Sequence, residues 1–74
     1  MKTDTLQYEF SHGRKPKGRG MWVLDVTGTD GRGAYTSERY MIAGTLANTR
    51  KEAARRLKQE CSRVVSITLI EVLP

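Results

Sequence analysis

The chain is poor in the residues that staple or metallate small proteins. It has one cysteine, one histidine, two prolines, one tryptophan and one phenylalanine in 74 residues. A lone Cys61 forms no internal disulfide, and with only His12 beside it the ligands for a structural zinc site are missing. No metal or cofactor is expected. Nor is there an apolar run near the roughly 20 residues a membrane-spanning helix needs, and the first ten residues lack the apolar core of a secretion signal. The expectation is one cytoplasmic domain covering residues 1–74, with no membrane contact. Acidic residues are also few: 8 against 13 Lys and Arg, for a net charge of +5. That balance points to a polyanionic partner or an acidic protein surface.

What is present reads as α+β. Leu6, Tyr8 and Phe10 alternate with polar residues, which predicts a first strand over about residues 5–11. Residues 12–20 combine glycines, a proline and four cations without apolar periodicity, and are expected to form the most mobile internal loop. Strand character resumes at residues 21–26, with Trp22, Leu24 and Val26 on one face. The Gly- and Asp-rich stretch 27–33 predicts a hairpin turn. A return strand runs from Ala34 to Gly44, with room for a kink at Ser37 and Glu38.

Thr49-Arg-Lys-Glu52 matches a capping box, so a helix is expected from Thr49 to near Ser62. Its apolar stripe is Ala53, Leu57 and Cys61, with Glu52 to Arg56 and Arg56 to Glu60 as supporting pairs. Residues 64–73 carry aliphatics on both faces and predict a last strand that is central or well covered. If it lies at an edge, it offers homodimer formation by strand pairing. The predicted fold is a small antiparallel sheet of about four strands packed on one helix, in the order β-β-β-α-β.

Catalysis needs positioned pairs of groups, and none are evident. His12 borders a loop, Cys61 reads as a small buried hydrophobe, and Asp25, Asp30 and Glu38 are explained by turns and strand edges. Gly13 and Gly18 have phosphate-loop spacing. However, Arg19-Gly20 follows where Lys-Ser or Lys-Thr is required, and no helix starts there. The chain is expected not to be an enzyme.

The cations are clustered. Arg14, Lys15, Lys17 and Arg19 lie in the glycine-rich loop, while Arg50, Lys51, Arg55, Arg56 and Lys58 cover the outside of the helix. Together they make nine of the thirteen. Such a loop suits phosphate neutralisation, with glycines letting the backbone approach, and it equally suits a solvated hairpin loop kept soluble by charge. Trp22 reads as the core anchor and Tyr35 as the exposed aromatic. The candidate binding residues are Arg14, Lys15, Lys17, Arg19, Arg32, Tyr35, Arg55 and Lys58.

Gly20-Met-Trp22-Val-Leu-Asp-Val, the glycine-rich turn, Ile42-Ala-Gly44-Thr and Thr49-Arg-Lys-Glu-Ala53 together resemble the three-stranded-sheet DNA-binding domains of tyrosine integrases and plant ethylene-response factors. Those families share an early-strand tryptophan, a glycine before the helix and a Thr-x-x-Glu-Ala helix start. The likeness spans about residues 18–60 and implies a sheet laid in the major groove, with arginines and aromatics reading bases. The chain departs from the pattern by its final strand. Its size and charge also resemble small phage- or mobile-element-encoded proteins, including anti-CRISPR inhibitors, for which the partner would be an acidic protein surface.

Overall fold

In the computed structural model, which describes residues 3–73, the chain is α+β: a four-stranded mixed sheet with two helices on one face. The elements are β1 (Thr3–Asp4), α1 (Leu6–His12), β2 (Arg19–Thr29), β3 (Tyr35–Thr45), α2 (Leu46–Leu57) and β4 (Arg63–Leu73). Strand order is β1-β4-β2-β3, with β2 antiparallel to both long neighbours and β1 parallel to β4. Among the described residues no helix is long and apolar enough to cross a membrane.

The expected first strand is a helix. The side chain of Asp4 accepts from the Leu6 N–H at 3.0 Å, the Thr5 hydroxyl donates to Glu9, and Gly13 closes the end at φ 69° with its N–H on the Glu9 carbonyl. These boundary groups favour a turn of helix over extended chain. On a helix Leu6 and Phe10 stack on one side while Tyr8 points to the other. Tyr8 is accordingly buried against Trp22 and stacked on His12, and Leu6 and Phe10 are exposed. The sheet is mixed rather than wholly antiparallel for the same reason, since of the described residues only Thr3 and Asp4 remain to pair, in parallel, with Ile67 and Thr68 of β4.

The long strands follow their alternation. Trp22, Leu24 and Val26 of β2, with Val64, Ile67 and Leu69 of β4, face the helices and form the core with Ala53 and Leu57 of α2. Gly28 lies in this row because nothing larger fits: a Cβ there would fall 2.8 Å from the Arg63 carbonyl and against the Cys61 sulfur. The β2–β3 turn is shorter than residues 27–33 suggest. Both strands extend to a tip at residues 30–34, where the Asp30 carboxylate accepts from the Arg32 and Ala34 N–H groups. β3 pairs with β2 in one register from end to end, without a kink at Ser37.

Helix α2 starts one turn before the expected cap. Gly44, at φ 136°, is the penultimate residue of β3, and the Thr45 side chain accepts from the Asn48 N–H as N-cap. Thr49 is instead buried one turn in, its hydroxyl donating to the Leu46 carbonyl at 3.0 Å. The helix ends at Leu57, so Cys61 lies beyond it and Glu60 has no place in a helical ion pair. Cys61 is half-buried, with its thiol directed at the Leu57 carbonyl.

Candidate functional site

Burial of Thr49, Ala53 and Leu57 fixes the rotation of α2. With 100° per residue, that stripe divides the remaining helix into two flanks of different chemistry. One flank carries Glu52, Arg55 and Arg56. Arg55 donates to both Glu52 oxygens and Arg56 to one at 3.2 Å. The Arg55 hydrogen bonds, more than those of Arg56, hold the Glu52 carboxyl at about 2. One of the two positive charges on this flank is thereby offset within the helix.

The other flank carries Arg50, Lys51, Ala54 and Lys58 and faces β4. Between them lies a groove of about 260 Å³, completed by Ser62, Arg63, Val64 and Ile67. Among the described residues four cations and no carboxylate line it, and its apolar part is Ala54 with the buried Val64 and Ile67. Lys51, Lys58 and Arg63 take part in no ion pair among the described residues. Ser62 fixes the β4 side: its N–H donates to the Thr29 carbonyl at 3.0 Å and its hydroxyl to the Asp30 carbonyl at 3.2 Å, which holds Arg63 beside the hairpin tip.

The residues expected to bind fall into separate places. Arg14, Lys15 and Lys17 are exposed in the 13–18 loop, and Arg19 opens β2 opposite Thr45. Arg32 is exposed at the hairpin tip, and Tyr35 is 68% exposed where β3 begins. Both are at the far end of β2 from the loop, where β2 pairs with Arg63, roughly 33 Å of strand away. Lys58 lines the groove, whereas Arg55 lies on the opposite, ion-paired flank. Arg63 was missed; only its position at the head of a strand following a cationic helix could have suggested it.

The sheet face turned away from the helices is chemically different. Arg39 is held in a two-pronged bridge to Asp25, at 2.7 and 3.1 Å, which raises its pKa. Thr27 and Ser37 are hydrogen-bonded beside it at 2.8 Å, and Met41 and Tyr35 are exposed. No protein-family model matches the chain, and neither a curated protein nor a solved structure is significantly similar to it. The functional reading therefore rests on the geometry and charge of this molecule.

Proposed function

We propose that this is a non-catalytic domain that binds nucleic acid through the phosphate backbone, with the groove between α2 and β4 as its main contact. The observation that carries the reading is the groove's lining of Arg50, Lys51, Lys58 and Arg63, with no carboxylate among the described residues that complete it. From Arg50 to Lys58 the helix rises roughly 12 Å, so cations are spread along the groove rather than gathered at a point. Such a line suits successive phosphates, whose condensed counterions are released on binding.

No aromatic side chain lines the groove, so stacking on unpaired bases has no platform there. Backbone contact with a duplex fits better. The open sheet face supports the major-groove mode of the integrase-like domains less well, since its Arg39 is already neutralised by Asp25. The loop residues Arg14, Lys15, Lys17 and Arg19, with Arg32 at the other end, serve as outlying phosphate contacts in this reading.

Binding of random-sequence duplex DNA, duplex RNA and single strands across a salt series tests it. The expected result is duplex affinity that falls steeply with salt. Absence of binding to all of them at moderate salt would leave the second reading, an inhibitor-like protein docked on a protein partner. The observation favouring that one is the exposed Leu6 and Phe10 pair on α1.

A further inference from the structure

The two edges of the sheet are built differently. On one side β4 shifts register twice against β2, between Val23 and Leu24 and between Thr27 and Gly28, and β1 covers it at Ile67 and Thr68. On the other side, among the described residues, β3 has no neighbour beyond β2 and keeps a single register with it from Tyr35 to Thr45. Bulges, prolines and lysines are the usual means of blunting an exposed edge. β3, of sequence YTSERYMIAGT, has no bulge, proline or lysine; its two charged residues are Glu38 and Arg39, the latter bridged to Asp25.

The phase of the ladder shows which backbone groups face outward. The Asp30 N–H donates to the Ala34 carbonyl at the hairpin end. Hydrogen-bonded and non-hydrogen-bonded pairs alternate along an antiparallel ladder, so the even-numbered residues of β3 turn their backbone groups to β2. The odd-numbered ones, from Tyr35 through Arg39 and Met41 to Thr45, turn theirs to the open edge.

We propose that this edge pairs antiparallel with the same edge of a second copy of the chain, about a two-fold axis at Tyr40. The sequence of β3 selects that centre. With Tyr40 against Tyr40 of the second copy, Tyr35 falls opposite Thr45 and all eleven residues are paired. Arg39 then meets Met41, Ser37 meets Ala43 and Glu38 meets Ile42, so no like charges face each other. A centre one residue earlier sets Arg39 against Arg39, and two earlier sets Glu38 against Glu38, both repulsive. A centre at Met41 leaves Tyr35 and Thr36 without partners.

The axis is normal to the sheet, so the product is one eight-stranded sheet with all helices on one side. The half-buried Tyr40 rings form an aromatic pair at the seam, and the exposed Met41 gains the stem of Arg39. Both cationic grooves then open on the same side of the assembly. The pairing itself does not depend on what those grooves bind.

Sedimentation velocity from low micromolar to millimolar concentration should show a monomer–dimer equilibrium. Met41→Arg, which faces Arg39 twice across the axis, should weaken the dimer about tenfold or more, whereas Met41→Glu should preserve it. In a Cys61→Ser background, Tyr40→Cys should cross-link to itself on mild oxidation, because the axis makes position 40 a non-hydrogen-bonded pair with Cα atoms about 4.5 Å apart. Arg39→Cys in the same background should cross-link far less. A chain that stays monomeric throughout overturns the proposal, as does a dimer indifferent to Met41→Arg. If Tyr40→Cys fails to fold by circular dichroism, the Met41 pair of variants decides alone.

Discussion

The indole N–H of Trp22 donates to the carbonyl of Gly44 at 2.7 Å. This bond joins the middle of the sheet to the point where β3 gives way to α2. Gly44 turns the chain at φ 136° and Thr45 caps the helix at the next residue. The start of α2 is thereby fixed, and with it the flank that α2 presents to β4. Trp22→Phe removes the donor and reduces a fully buried ring. A loss of about 2 kcal/mol is expected in urea denaturation. An unchanged midpoint would show that the bond does not fix the junction.

The two aromatic residues of α1 should behave oppositely. Tyr8 is 3% exposed and Phe10 is 95% exposed. Tyr8→Ala should cost about 3 kcal/mol, and Phe10→Ala should change stability by less than about 0.5 kcal/mol. Equal losses at the two positions would mean that both share a buried face, as they would on a strand.

That contrast also marks what could be read from the residues. The three long strands and the main helix were legible, because alternation in residues 21–26, a glycine-rich turn and a β-branched run each carry a period or a reversal of their own. The N-terminal segment was not. Leu6, Tyr8 and Phe10 satisfy period two, while the signals for helix lie outside them, at Asp4 and Gly13. The capping box pointed to Thr49, with a glutamate three residues later, but Thr49 is buried one turn in and the cap is Thr45. Lys58 was identifiable from its place on the helix. Arg63 was not, because its neighbourhood is created by the Ser62 contacts to Thr29 and Asp30, across a separation of more than thirty residues.

Stability in acid should depend on Glu52. Its carboxyl is held at about 2, below the ordinary 4.5, chiefly by the hydrogen bonds from Arg55 and then from Arg56. A lowered pKa means that the folded state binds the proton less readily than the unfolded chain. The contribution is therefore complete above about pH 4.5 and is lost as pH falls toward 2. The group is exposed, so salt should diminish the effect. Melting temperatures of the parent and Glu52→Gln should differ at about pH 6 and converge near pH 2. A constant difference across that range would place the stabilisation elsewhere.

The central claim, that the α2–β4 groove contacts phosphates, is tested most directly by comparing salt slopes of duplex DNA binding. Lys51→Ser, Lys58→Ser and Arg63→Ser together remove three cations from the groove without touching the buried stripe of Thr49, Ala53 and Leu57. The slope of log affinity against log salt should fall by roughly 0.9 for each phosphate that the variant no longer neutralises. Serine at Arg14, Lys15, Lys17 and Arg19 together, at the other end of β2, should leave most of the slope in place. A folded groove variant that keeps the affinity and slope of the parent, while the loop variant loses both, would contradict the account.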